Sequence, residues 1–197
     1  MNKLVAIVFT TATLVSTAVK ADVEPKFYAG VEGVYSHFHL DGLYKDQTDT
    51  SGKSVYAKKA PALALFAGSR INQNFGFEFG GQMYKNRRVT LNGSDASIRN
   101  SNLFVDALGV VPMNEVINFV GSVGVGRLRT TKAYKTNASQ WANTSSNTKV
   151  GVRVGAGCEY LFGENLNTGA RAMLRYQNGN HVIKNIKSAT LGLFYNF

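Results

Sequence analysis

Histidine, serine and aspartate side chains are the groups in this sequence that could support catalysis or bind a metal. His37 and His39 precede one polar segment, and Ser94 and Asp95 lie in another. A serine nucleophile, a histidine base and an aspartate that orients the base could perform acyl transfer if they met in space. His37 and His39 could also ligate a metal, but a zinc site normally uses three or four ligands. We therefore expect no metal and no cofactor.

Seven acidic and basic residues fall on the polar positions of segments in which apolar and polar side chains alternate. A lone buried charge is strongly destabilising, so these residues should form acid–base pairs if their positions face an interior. A hairpin centred near Asn165 would place Glu159 opposite Arg171. The predicted network consists of Glu32, Glu78, Asp106, Arg153, Glu159, Arg171 and Arg175.

The segments that carry these groups show a two-residue period, which indicates β-strands. From Val150 to Phe162 one side of the alternation is apolar throughout. Eight strands are predicted, near 26–39, 60–71, 75–91, 99–111, 117–131, 147–162, 167–178 and 186–197. Charge and hydrophobicity favour opposite faces for the fifth strand, so its parity stays open. Short turns near 72–74, 112–114 and 163–165 alternate with longer polar segments at 40–59, 92–98, 132–146 and 179–185.

Composition and glycine placement indicate which face points outward. Only 17% of the 197 residues are charged, against about 25% in soluble domains, while a mean hydropathy of −0.12 excludes a bundle of membrane helices. Glycines such as Gly76, Gly155 and Gly192 lie on the polar face, where the tight lumen of a small barrel requires them. We therefore predict an all-β, eight-stranded antiparallel transmembrane β-barrel of up-and-down topology, in preference to a soluble all-β protein.

The N-terminus predicts export from the cytoplasm. Lys3 precedes an apolar stretch from Leu4 to Val19, and Ala21 ends a small-residue cleavage motif. This pattern is typical of a secretory signal peptide. We expect residues 1–21 to be removed after Ala21, leaving 22–197 as the barrel domain. Loss of Lys3 and Lys20 lowers the net charge from +10 to +8, and we expect no nucleic-acid partner in a cell envelope.

Four segments resemble the OmpA/OmpX-like, opacity-type family of eight-stranded outer-membrane barrels. Residues 27–33 resemble the opening strand of that family, 76–80 its third strand and 157–160 its sixth. Residues 191–197 are similar to the C-terminal signal read by the barrel-assembly machinery, with a terminal phenylalanine after alternating apolar residues. The residues of this assembly signal are Leu191, Leu193, Tyr195 and Phe197.

The resemblance implies a monomeric barrel in the bacterial outer membrane whose lumen is filled by salt bridges. Glu78 and Glu159 match the buried acids of the family by position. Met173 falls where a basic partner is expected, and Arg171 and Arg175 flank it on the same parity.

Two enzyme classes with this architecture provide a test of function. Lipid A deacylases carry a His-x-Ser-Asn-type signature where this chain has residues 175–178, with arginine and glutamine at the base and nucleophile positions. Lipid A palmitoyltransferases use His, Ser and Asp from extracellular loops, for which His37 or His39, Ser94 and Asp95 are the candidates. We therefore expect no enzymatic activity, and keep a lipid A-modifying enzyme as the less favoured alternative.

Basic residues cluster at the long-loop end of the predicted barrel. The short-turn end instead carries Asp22, Glu24, Glu115 and Glu164 against only Lys26 and Arg70. Arginine forms strong charge-assisted hydrogen bonds with phosphate. The cluster therefore predicts a basic collar, a ring of cationic side chains around the barrel that binds lipopolysaccharide phosphates. Its members are Lys58, Lys59, Arg87, Arg88, Arg99, Arg127, Arg129 and Lys132, with Lys85, Lys149, Lys184 and Lys187 nearby.

The sequence as a whole favours a non-enzymatic outer-membrane surface protein that stabilises the envelope or displays loops for adhesion. A narrow passive pore is the alternative. The expected partners are outer-membrane lipids, lipopolysaccharide, the barrel-assembly machinery and host surface molecules bound through the loops.

Overall fold

A computed structural model describes residues 26–41, 48, 52, 55, 56, 58–91, 94–137, 140–179 and 182–197. The predicted signal peptide lies outside these residues. The strands are β1 (Lys26–Leu40), β2 (Lys59–Arg70), β3 (Phe75–Tyr84), β4 (Arg87–Leu91), β5 (Ser94–Pro112), β6 (Ile117–Asn137), β7 (Gln140–Phe162), β8 (Thr168–Asn178) and β9 (Ile183–Asn196). A single 3-10 turn, Glu164–Leu166, precedes β8 within the described chain.

The strands form one closed antiparallel sheet in which sequence neighbours are also spatial neighbours. β1 pairs with both β2 and β9, and β3 pairs with β5 to close the ring. β3 and β4 follow one another along β5, so together they occupy the place of one barrel strand. The predicted eight-stranded antiparallel barrel of up-and-down topology is confirmed.

Apolar side chains cover the outer face of the sheet and charged side chains lie on its inner face, which is the reverse of a soluble barrel. Large apolar side chains such as Phe79, Leu103 and Leu174 are 61%, 60% and 70% exposed, whereas Glu78 and Arg171 are buried in the lumen. This arrangement is typical of a barrel whose outer face contacts the hydrocarbon core of a membrane. No helix among the described residues is long and apolar enough to cross a membrane.

Asparagine side chains hold two of the turns at the short-turn end. The Oδ1 of Asn72 accepts hydrogen bonds from the backbone N–H groups of Asn74 and Phe75, both at 2.8 Å. Asn114 binds the N–H groups of Val116 and Ile117 in the same way, at 3.0 and 2.7 Å. Such side-chain bonds favour a tight turn over continued strand, which explains the short connections.

Two predicted long loops are wrong, because strand occupies most of them. β5 already begins at Ser94, and β6 and β7 continue to Asn137 and from Gln140, where the predictions placed polar loops at 92–98 and 132–146. The polar composition of these segments indicated loops. A strand that extends beyond the membrane can also be polar, because one of its faces is exposed to water. Ala96 and Ile98 are buried on the other face.

The strand pairings also settle two questions of parity. Met83 lies opposite Ser101 but Arg87 lies opposite Ile98, so β3–β4 contains one residue more than β5 between these points. A bulge of this kind exchanges the inward and outward positions beyond it. In β6, Val123 is exposed and Leu128 is buried. The odd-numbered residues from Phe119 to Arg129 therefore face outward.

Two apolar clusters lie inside the barrel, one towards each end. The cluster nearer the short turns consists of Tyr28, Phe66, Phe104, Leu108, Val110, Val120, Met173 and Phe194. The cluster nearer the long loops consists of Phe38, Leu40, Val55, Tyr56, Ala60, Tyr84, Ala96, Ile98, Leu128, Val182, Ile183 and Ile186. Val55 and Tyr56 come from the segment between β1 and β2, so this segment contributes to the filling of the mouth.

Candidate functional site: the charged lumen and the basic rim

Arg171 is the centre of the charged layer inside the barrel. Its Nε donates to Glu32 Oε1 at 3.0 Å, and its Nη1 donates to Glu78 Oε2 at 2.6 Å. The guanidinium also lies 4.2 Å from the centre of the Phe66 ring. The Arg171 side chain has no solvent exposure, so these contacts replace its hydration.

Arg175 adds a second cation to the same acids. It donates to both carboxylate oxygens of Glu32 and to Thr190 Oγ1, the last at 3.0 Å. Its Nη2 lies 3.8 Å from Glu78 Oε1. Two arginines and two glutamates thus form one cluster drawn from β1, β3 and β8, and the cluster ties together strands that are not adjacent.

Arg153 and Asp106 form a separate pair further towards the long-loop end. Arg153 Nε donates to Asp106 Oδ2 at 2.9 Å, and its guanidinium lies 3.8 Å from the centre of the Phe104 ring. An amide pair continues the layer, because Asn102 and Gln177 exchange hydrogen bonds at 2.7 and 3.1 Å.

Glu159 has a partner that the predicted network omits. The pairing of β7 with β8 places Glu159 opposite Arg171, but Nη1 and Oε1 are 3.8 Å apart. Arg70, the last residue of β2, donates from Nη2 to both oxygens of Glu159 at 2.7 and 2.6 Å. Arg70 shares the inward parity of Ala64 and Phe66, and this pattern could have revealed it.

Charge in this layer is balanced. Within the described residues, four carboxylates and four guanidiniums meet in the lumen. Each carboxylate has an oxygen within 3.0 Å of an arginine nitrogen. The positive charge of the chain therefore resides elsewhere. The paired residues are Glu32, Glu78, Asp106 and Glu159 with Arg70, Arg153, Arg171 and Arg175.

Most described members of the predicted basic collar are exposed. Arg99, Arg127 and Arg129 alternate with buried residues along β5 and β6, so they project from the outer face. Arg129 Nε donates to Ser146 Oγ at 3.0 Å across the β6–β7 pair. Lys58, Lys59 and Arg88 are exposed at the start of β2 and in β4.

Arg87 and Lys132 differ from the rest of the collar. Both lie opposite Ile98, whose side chain is buried in the mouth of the barrel. Directly opposed residues share a face of the sheet, so Arg87 and Lys132 sit on the inner side. Lys132 Nζ lies 4.9 Å from the centre of the Tyr56 ring. The bulge in β3–β4 moves Arg87 inward, and simple alternation could not predict this.

The possible catalytic groups are not brought together by the fold. His37 and His39 are exposed on β1, while Ser94 and Asp95 begin β5, three places away around the ring. Strands are spaced by roughly 4.8 Å, so this separation exceeds hydrogen-bond reach. Residues 175–178 do not form a surface site either, since Arg175 and Gln177 point into the lumen.

Two further predictions concern metal binding and the C-terminal assembly signal. Within the described residues, no group of three or more His, Cys, Asp or Glu side chains could hold a metal. The four residues of the predicted assembly signal alternate on the outer face of β9 and just after it. Their exposed fractions are 68%, 55%, 48% and 76% for Leu191, Leu193, Tyr195 and Phe197.

A closed eight-stranded barrel with an apolar exterior and an ion-paired interior defines an integral membrane β-barrel protein. The chain belongs to the outer membrane protein beta-barrel domain family, whose model matches residues 7–197. Membership places it in the bacterial outer membrane. The predicted relationship to eight-stranded outer-membrane barrels is confirmed.

Solved structures support the same fold. Ail, the attachment invasion locus protein of Yersinia pestis, was solved in complex with the heparin analogue sucrose octasulfate. It is 15% identical, with a TM-score of 0.59 over 89% of this chain and 100% of that chain. Neisserial surface protein A is 16% identical, with a TM-score of 0.56 over 89% and 100%.

The N-terminal barrel of OprF from Pseudomonas aeruginosa is 14% identical, with a TM-score of 0.54 over 88% of this chain and 100% of that chain. At these identities the likeness shows the fold alone. No curated protein sequence matches the chain significantly.

Proposed function

We propose that this protein is a non-conducting, non-enzymatic surface barrel that stabilises the envelope and presents its outer end for interaction. The filled lumen is the observation that carries this proposal. A layer of paired charges lies between two apolar clusters, and eight strands enclose little more space than side chains can fill. These features favour a structural anchor over a passive pore.

An extension on one side of the barrel provides the surface for interaction. β7 pairs with β8 only from Arg153 onward, whereas it continues along β6 as far as Gln140. β4, β5, β6 and β7 therefore continue beyond the other strands as a four-stranded sheet. Because Val55 and Tyr56 belong to the buried cluster that includes Ile98, this sheet is backed by packed side chains.

Conductance and lipid chemistry should be measured on the same folded protein. We expect no long-lived single-channel steps in planar bilayers and no change in the mass of lipid A after incubation. Large, stable steps would contradict the anchor and favour the pore, while loss or gain of an acyl chain would establish the enzyme.

The basic collar is the proposed contact with lipopolysaccharide. Exposed arginines can bind phosphate with two parallel hydrogen bonds, and the outer leaflet offers many phosphates. Ail was solved with a polysulfated ligand, and sulfate presents the same arrangement of anionic oxygens. We propose that host sulfated glycans could use the same basic surface.

A fourfold glutamine variant tests the collar. Replacing the exposed residues Lys58, Lys59, Arg88 and Arg99 with glutamine should weaken binding of purified lipopolysaccharide at low salt, with a smaller loss at moderate salt. Leu174→Gln, which introduces glutamine at an exposed apolar position without changing the charge, is the control. Wild-type affinity in the fourfold variant, or wild-type binding insensitive to salt, would exclude the collar.

The remaining assignments concern biogenesis and assembly state. We propose that the signal peptide is removed after Ala21, and that residues 191–197 direct the chain to the barrel-assembly machinery. Mass spectrometry of the mature protein tests the cleavage site. Phe197→Ala should reduce assembly in cells while leaving the stability of the refolded barrel close to wild type.

We also propose a monomer, which light scattering in detergent can test.

A further inference from the structure

Two neighbouring rows of outward-facing residues each run from β2 across β3 and β5 to an arginine of β6. In the lower row, Leu65 lies opposite Gly81, which lies opposite Leu103, which lies opposite Arg127. The upper row runs Leu63, Met83, Ser101 and Arg129 in the same manner. Each row thus passes from apolar side chains on β2 to a guanidinium on β6.

Small residues at two diagonal positions of these rows leave a trough on the outside of the barrel. Gly81 has no side chain, and a Cβ there would touch only the Leu103 Cδ2 atom, at 3.3 Å. Ser101 is the small residue of the upper row. Met83 and Leu103, both at least 60% exposed, stand on either side of the line joining Gly81 to Ser101. The resulting groove is lined by these residues together with Leu63, Leu65, Arg127 and Arg129.

The arginines at the end of the trough have unfilled bonding capacity. Both side chains are exposed, and neither guanidinium forms an ion pair with a carboxylate among the described residues. The Nε of Arg129 donates to Ser146 Oγ, and its terminal nitrogens have no hydrogen-bond partner among the residues that the structure describes. Arg127 shares its row with Leu103 and Val150, 60% and 58% exposed, so its charge lies beside apolar surface. A ligand that carries an anionic group on an apolar chain would bind the guanidinium groups through the anion and the neighbouring apolar surface through the chain.

We propose that this trough binds a phosphorylated glycolipid of the outer leaflet. One acyl chain lies between Met83 and Leu103 over Gly81, and a phosphate of the head group lies against Arg127 and Arg129. The inference rests on the proposed orientation and phosphate affinity of the rim, and adds to them a defined acyl-chain site.

Charge complementarity favours this trough over another on the opposite side of the barrel. The second groove is lined by Tyr35, Leu174 and Ala189, with Lys187 and His37 above them. Lysine acts as a single point charge, whereas two guanidiniums offer planar, bidentate donors to phosphate oxygens. The second groove therefore supplies a matched control.

The test compares fully acylated lipid A with its deacylated phosphosugar. Native mass spectrometry of folded protein released from detergent micelles counts bound molecules at each concentration. We expect wild-type protein to bind the acylated form about tenfold more tightly, because packing between apolar groups drives association within a lipid phase. Gly81→Leu should abolish this preference and leave binding of the phosphosugar unchanged, while Arg127→Gln with Arg129→Gln should weaken both ligands.

Ser101→Leu fills the other end of the trough and provides an independent variant if Gly81→Leu folds poorly. Ala189→Leu fills the second groove, and Gly121→Leu adds a leucine at an open outward position; both should retain the preference. If both trough variants keep the preference, the acyl-chain site is wrong, although loss of binding in the arginine variant would still support the rim. If the arginine variant binds the phosphosugar as tightly as wild type, phosphate recognition by these residues is wrong.

Discussion

Arg70 binds both carboxylate oxygens of Glu159 through a single nitrogen, although β2 and β7 are not adjacent in the barrel. The pair crosses the lumen near the short-turn end, where Arg70 also lies 5.5 Å from the centre of the Tyr28 ring. The Arg70 side chain is 15% exposed, while that of Glu159 is 1% exposed. One partner thus retains access to water, and this makes the pair less demanding than the fully buried cluster around Arg171.

Removing the acid of this pair should destabilise the barrel moderately. Glu159→Ala leaves Arg70 able to turn towards water, so we expect the free energy of unfolding to fall by about 1–3 kcal/mol. Urea titration of the micelle-folded protein, followed by the shift in electrophoretic mobility on unfolding, measures this change. A midpoint equal to that of wild type would contradict a stabilising role for Glu159.

Removing the central cation should be more damaging. Arg171→Met deprives the buried Glu32 and Glu78 side chains of a shared partner, and breaking a buried ion pair typically costs about 3–5 kcal/mol. The same titration should therefore show a larger loss than for Glu159→Ala. The reverse order would mean that Arg175 alone can neutralise both acids.

Glycine on the inner wall should be harder to replace than glycine on the outer wall. A Cβ on Gly192 would overlap the Glu32 side chain and the Val31 carbonyl oxygen, whereas one on Gly121 would have no neighbour within 4 Å. Gly192→Ala should lower stability by about 1–3 kcal/mol through overpacking. Gly121→Ala should be neutral or stabilising by up to about 1 kcal/mol. Comparable losses in both variants would contradict the assignment of the two faces.

The segment that fills the outer mouth should become accessible when its aromatic anchor is removed. Tyr56 is 2% exposed, and Tyr56→Ala should accelerate tryptic cleavage after Lys58 and Lys59 several-fold. Mass spectrometry of the folded barrel during proteolysis identifies the cut. Tyr35→Ala, at a position 54% exposed on the outer face, is the matched control. Unchanged cleavage in Tyr56→Ala would show that other residues hold this segment in place.

Much of the barrel follows from the sequence, because alternation along a strand is a local property. Val150 to Phe162 and Leu191 to Phe197 show their outer faces without reference to any other segment, since successive side chains point to opposite sides. Glycines opposite these apolar residues then indicate a tight lumen. Polar composition gave a wrong prediction beyond the membrane, where Ala96 and Ile98 are buried on a strand in a segment predicted as loop.

The sequence alone determined the period, the number of strands and the inward face of the seven predicted lumen acids and bases. The tertiary structure decided the partners: Glu159 pairs with Arg70 across 89 residues, and Glu32 pairs with Arg171 across 139. It also decided that Arg87 faces inward, through one extra residue in β3–β4. These outcomes depend on how strands are aligned and how the ring closes, and both are set by contacts between residues far apart in the chain.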